Sequence, residues 1–270
     1  MPQLRFTTLV EAPLTVAFDV ARVLGRPWPF PLEEVGSLRP EGDVFAGGPV
    51  GGPGRVTHSR RFSATAAGTL VEEQVDWEPG SWGPVGRIVL RRRIERAMRA
   101  HLDAFAAAAA RRALDVVQVV GAAVIEGDRV LVAQRSGGTH DGCWEFPGGK
   151  VERGEPELAA LVRECEEELG ITVVPGSFVG EVVLDGVVAG GAPGASTMRV
   201  WSARGAGGEP VAHEHSELRW IGPDELDDLD WIAADRPLLP GAGEAGQEDG
   251  DTGARGSGHV LQCRRRASGF

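Results

Sequence analysis

One segment constrains the chain more than any other: 154-GEPELAALVRECEEELGI-171. Pro156 sets a helix start and Gly170 a helix stop. Between them Leu158, Leu161, Val162, Cys165 and Leu169 recur at helical spacing, so they form a buried stripe. Cys165 is then a small core residue and not a nucleophile. Glu164, Glu167 and Glu168 stand at i, i+3, i+4 on another face. Each like-charge neighbour costs a few tenths of a kcal/mol, and the negative end of the helix dipole adds to the penalty. A hard divalent cation would remove that strain. Carboxylates with no soft ligand nearby select Mg²⁺, with Mn²⁺ as substitute, over zinc.

The flanking residues narrow the reading. Gly149, Glu155, Arg163, Glu164, Glu167, Glu168, Gly170 and Ile171 fit the spacing G-x5-E-x7-R-E-U-x-E-E-x-G-U, with U a bulky apolar residue. The one departure is Cys165 at a U position. This pattern resembles the Nudix box of the Nudix hydrolase family, MutT-like members above all, and the likeness spans roughly residues 116–240. It implies an α/β/α sandwich with a mixed sheet, and hydrolysis of a nucleoside diphosphate linked to another group. It also implies that Glu164, Glu167 and Glu168 bind the metal with the carbonyl of Gly148. Glu155 and Arg163 would tie loop to helix as an ion pair.

The same resemblance assigns roles outside the box. Arg135 ends the strand-like run RVLVAQR, and Lys150 follows the glycine pair Gly148-Gly149. Both match phosphate-contacting positions. Lys150 is also the only lysine among 28 basic residues, which singles it out further. Glu214 matches a position that supplies a further metal ligand or a water-activating base, so the general base stays open among Glu167, Glu168 and Glu214. His213 and His215, at i, i+2 with no cysteine partner, make a poor zinc site. Asp235 in 230-DWIAADRPLL-239 matches a base-reading position; it equally fits a helix cap. An ionised Asp235 accepts hydrogen bonds only, which favours cytosine, guanine or 8-oxoguanine. Trp144 could stack on a base but reads better as packing.

The whole chain reads as an α+β protein of two units, 1–114 and 116–240, followed by a Gly-rich tail, 241–270, expected to be disordered. In the first unit RFTTLVEA reads as a strand and PLTVAFDVARVL as a helix. Residues 25–54 read as loop. RVTHSRRFSAT and TLVEEQVDWE form a hairpin turning at Ala67-Gly68. A long helix follows, with Ile94, Met98, Leu102 and Phe105 on one face. This order is similar to the START/polyketide-cyclase-like superfamily, a helix-grip fold in which an antiparallel sheet wraps a long C-terminal helix. Here it would be truncated, with an incomplete cavity for an apolar ligand.

The net charge of −11 opposes binding to a nucleic-acid polymer but not to one nucleotide. Three cysteines without CxxC spacing fit a reducing compartment, and neither a leader nor a membrane span is expected, which points to the cytoplasm. The expected activity is Mg²⁺-dependent conversion of a nucleoside triphosphate to the monophosphate and pyrophosphate. The rivals are hydrolysis of another nucleoside diphosphate derivative, such as an ADP-sugar, and a ligand-binding module with a silent Nudix unit. Oligomeric state is not legible.

Overall fold

The computed structural model describes residues 2–48, 54–78, 84–184, 196–243 and 245. Asp185 and Gly186, assigned to a strand from sequence, and nearly all of the expected tail lie outside them. The architecture is α+β, with two separate sheets. No helix among the described residues is long and apolar enough to cross a membrane.

The first sheet is built from β1 (Gln3–Val10), β2 (Glu33–Leu38), β3 (Gly42–Gly47), β4 (Val56–Thr65) and β5 (Gly68–Trp77). Its order is β1-β5-β4-β3-β2, antiparallel throughout. Helices α1 (Leu14–Leu24) and α2 (Pro84–Ala113) pack on one face. Ile94, Met98, Leu102 and Phe105 are all buried on α2, as their spacing demands. The hairpin turn is Ala66-Ala67, one residue earlier than read from sequence. Gly68 opens β5 at φ +118°, where a side chain would strike the carbonyl of Val10.

Residues 25–54 correct the sequence reading, because two strands stand where a loop was expected. Their signal is hidden because β3 begins and ends on glycine and buries the charged Asp43. Asp43 faces Arg60 and Phe45 faces His58 across the β3–β4 ladder. Cross-strand charge pairs hold this pairing where apolar alternation does not. Beside its apolar core the interior carries a buried charged cluster. Arg60 donates from Nε and Nη2 to the two oxygens of Asp43, at 2.9 and 2.7 Å, and from Nη1 to the carbonyl of Ala21 at 2.8 Å. Arg26 reaches the same carboxylate at 2.7 Å. His58 Nδ1 accepts from the indole of Trp28 at 3.1 Å, so its ring proton sits on Nε2, 2.9 Å from Glu73. Burial pushes the His58 pKa down. These charges share the space between sheet and helices with the apolar core of Phe62, Val71, Leu102 and Phe105.

The second sheet contains β6 (Gln118–Glu126), β7 (Arg129–Arg135), β10 (Thr172–Leu184), β11 (Ser196–Gly207) and β12 (His215–Ile221), ordered β10-β11-β6-β7-β12. The short strands β8 (Trp144–Glu145) and β9 (Gly148–Lys150) pair with β7 and β6. Pairing is parallel between β11 and β6 and antiparallel elsewhere, so the sheet is mixed. Strand β6 is buried on both faces, which requires a layer on each side. Helix α3 (Glu157–Leu169) supplies one layer through Ala160, Leu161, Cys165 and Leu169. Leu158 departs from the expected stripe and is exposed, while Val162 is half-buried; the buried face is rotated toward Ala160. The other layer comes from two 3₁₀ turns, Pro223–Asp228 and Arg236–Leu238, and a helical stretch over 239–243. Ala242 is 1% exposed in that core, so the unit runs past residue 240, where the sequence reading ended it.

A charged seam joins the sheets. Arg199 on β11 donates to Glu181 on β10 at 3.0 Å and to Glu157 at 2.9 Å, then reaches the carbonyl of Thr65 in the first unit at 2.6 Å. Glu181 in turn accepts from the backbone N–H of Leu14 at 2.7 Å, capping α1 from the neighbouring unit.

Candidate active site

The box is a loop and helix clamped by one arginine. Arg163 donates to both oxygens of Glu155, each at 3.0 Å, to Glu164 at 2.9 Å, to Glu167 at 3.0 Å, and to the carbonyl of Lys150 at 3.1 Å. The bidentate bond to Glu155 is the leading cause of its upward pKa shift. Gly170 ends α3 in the left-handed region, and its N–H caps the carbonyls of Cys165 and Glu166. Cys165 is wholly buried, with its thiol pushed up to about 12.

Gly148 and Gly149 let the β9 backbone lie against this helix. A side chain on Gly148 would collide with the carbonyl of Val120, and one on Gly149 with the Glu164 carboxylate. The Gly148 N–H donates to Glu168 at 3.0 Å. Burial raises the Glu164 pKa against the pull of Arg163, with repulsion from Glu167 and Glu155 adding to it. Burial likewise lifts Glu168 to about 7; His215 and the Gly148 bond oppose the rise, and Glu164 and Glu145 reinforce it.

This donor set fits a hard dication. It offers three carboxylates on one helix face, held close by a glycine backbone, with Arg163 as the cation that neutralises two of them. Among the described residues no three His, Cys, Asp or Glu side chains converge as ligands in the present arrangement. Arg163 holds Glu167 aside, and Glu167, 58% exposed, can swing inward by a rotamer change.

Beside the box lies a cleft of about 900 Å³, lined by Arg135, Glu145, Lys150 and Asp235 among others. Lys150 is exposed. Arg135 is partly engaged by Glu145 at 2.8 Å. Asp235 is 2% exposed and accepts from the N–H of Phe146 at 3.1 Å; its side chain makes no capping bond to the 3₁₀ turn that follows. Burial pushes its pKa up to about 7. At neutral pH the carboxyl can therefore donate as well as accept, which removes the acceptor-only basis for choosing a base. Trp144 is buried in the core beneath the Arg219 guanidinium, so it does not face a ligand.

Glu214 is exposed at the start of β12, outside the residues lining the cleft. His213 donates from Nδ1 to the Glu167 carbonyl, 3.0 Å away, while His215 turns to Glu145 at 3.3 Å, so the two imidazoles serve different partners. Burial lowers the His215 pKa, but its bond to Glu145 and the charges of Glu168, Glu145 and Glu214 outweigh that and raise it. Glu145 is the acid that sequence reasoning missed. It touches Arg135 and His215 and repels Glu168. The tripeptide 144-WEF-146 carries no local sign of that role.

Comparison with known proteins agrees with this geometry. The family model described as NUDIX domain matches residues 116–241. A Mycobacterium tuberculosis protein named "Putative 8-oxo-dGTP diphosphatase 2" is 45% identical over 119 residues, 44% of this chain and 82% of that protein. The CTP pyrophosphohydrolase of Escherichia coli is 36% identical over 129 residues, 47% of this chain and 90% of that protein. Among solved structures, a MutT NUDIX hydrolase from Burkholderia pseudomallei is 34% identical, with 46% of this chain and 95% of that chain covered and a TM-score of 0.38. With an intact box built on a mixed sheet and relatives matched over most of their own length, this chain belongs to the Nudix hydrolase family.

Proposed function

We propose that this enzyme is a Mg²⁺-dependent nucleoside triphosphate pyrophosphohydrolase of the 8-oxo-dGTP or CTP type, releasing a nucleoside monophosphate and pyrophosphate. The observation that carries the reading is the placement of the acid-rich box beside a cleft lined by both cations, Arg135 and Lys150, and by the buried Asp235. The names of the matched relatives support the same substrate class.

Glu164, Glu167 and Glu168, with the Gly148 carbonyl, would hold the cation, and Glu214 is a further candidate. When bound, that cation supplies charge neutralisation at phosphate oxygens and acidifies a water. Lys150 and Arg135 meet the phosphates, Arg135 by leaving Glu145. A carboxylate accepts the proton of the attacking water; Glu167, Glu168 and Glu214 are the candidates. Glu155, Arg163, Gly149 and Gly170 hold the loop and helix in register. Asp235 reads the base edge from within the cleft.

The N-terminal unit we read as a helix-grip-like sheet around α2, on the strength of its antiparallel order and 30-residue helix. The test of the catalytic reading is a panel of common and oxidised nucleoside triphosphates and nucleoside diphosphate sugars, with and without Mg²⁺. Pyrophosphate release from a triphosphate is expected. AMP and a sugar phosphate as the preferred products would overturn it.

A further inference from the structure

The cleft is not made by the Nudix unit alone. Leu14 and Thr15, at the first turn of α1, and Pro40 and Glu41, at the tip of the β2–β3 hairpin, line the same space as Lys150 and Asp235. We propose that the N-terminal unit is the wall against which the nucleoside end of the substrate rests, and that it thereby sets base selectivity. This rests on the nucleotide reading above.

Charge fixes which end of a nucleotide faces this wall. The cleft cations, Arg135 and Lys150, stand with the glycine backbone of β9. The rest of the lining includes the apolar Leu14, Pro40, Val117, Val182 and Leu184 and the acid Glu41. A triphosphate is repelled by Glu41 and drawn to the cations, so the uncharged base and ribose take the other end. Apolar flanks suit the faces of a base. Glu41, exposed and acceptor-only when ionised, suits an exocyclic amino group or a ribose hydroxyl. Thr15 adds a second polar group. It is 6% exposed, and its Oγ1 is buried without a hydrogen-bond partner. A volume of about 900 Å³ leaves room for a whole nucleotide between the two walls.

The wall is also fixed in place. The seam that docks it runs through residues next to the lining ones: Glu181 binds the Leu14 N–H, and Arg199 binds the carbonyls of Thr65 and Ala66 at 2.6 and 3.2 Å. A rigid wall can discriminate by size and shape, where a loose one would yield to either base.

The experiment uses the full chain with Mg²⁺. The variant is Glu41→Trp, at an exposed hairpin tip where added bulk leaves the core untouched. Steady-state KM is measured for a purine triphosphate, a pyrimidine triphosphate and ribose 5-triphosphate, which lacks the base. KM is expected to change at least fivefold more for the base-bearing substrates than for ribose 5-triphosphate, and by different factors for purine and pyrimidine. In parallel, irradiation with 8-azidoguanosine triphosphate is expected to label residues 14–15 or 40–41. The proposal requires both results. Equal KM changes across the three substrates, no change at all, or label confined to residues 117–237 would overturn it. Failure of the wild-type chain to hydrolyse any triphosphate would instead sink the substrate reading.

Discussion

Two clusters of ionisable groups in this molecule are built on opposite plans. Between the first sheet and its helices, Asp43 and Glu73 meet Arg26, Arg60 and His58, and each acid has a close partner. In the box, Glu155, Glu164 and Glu167 share Arg163, and Glu168 makes no bond to it. A balanced cluster satisfies itself and serves the fold. An unbalanced one leaves negative charge for something brought from outside, as the proposed metal site requires.

Four measurements would break or sharpen that contrast. Glu167→Gln should lower kcat on the order of a thousandfold, or about 4 kcal/mol, and leave the melting temperature unchanged, since Glu167 is half exposed on the helix surface. A variant that turns over at the wild-type rate would remove the metal assignment. Asp43→Ala should do the reverse. It strands Arg60 without its buried partner and should cost about 3 kcal/mol of stability by denaturant titration. A loss under about 0.5 kcal/mol would show that the cluster does not hold the first unit. Glu181→Gln comes next, with about 2 kcal/mol expected because Arg199 loses a charged partner in the seam while the amide can still accept from Leu14.

The last measurement concerns Asp235. Its folded pKa, near 7, lies above the ordinary carboxylate value, so the neutral form favours the native state. That contribution is complete below about pH 4 and is lost as pH rises through 7. Asp235→Asn keeps a neutral acceptor for the Phe146 N–H and should flatten this fall, which amounts to at most about 1.4 kcal/mol per pH unit. Parallel stability profiles for wild type and variant would show that Asp235 is ionised throughout.

The box was legible because its chemistry is local. Every group that Arg163 clamps lies within 13 residues of it in sequence, so spacing alone reports the cluster. The balanced cluster was not legible for the converse reason. Arg60 and Asp43 are 17 residues apart and meet across a ladder whose strands look like a glycine-rich loop. Glu145 escaped notice because its partners, Arg135 and His215, come from neighbouring strands. Leu158 was misplaced because an apolar residue in the first turn of a helix fits the periodicity even where no neighbour covers it. The contribution of the first unit to the cleft had no sequence signal at all, since it depends on how two sheets dock.

The Arg199–Glu181 seam has one more consequence. Cutting the chain between α2 and β6 would leave an α1 start uncapped on one fragment and a water-exposed guanidinium–carboxylate pair on the other. The two halves should therefore melt as one calorimetric transition. Trimming this protein to its Nudix unit should therefore yield a fragment less stable than the whole chain.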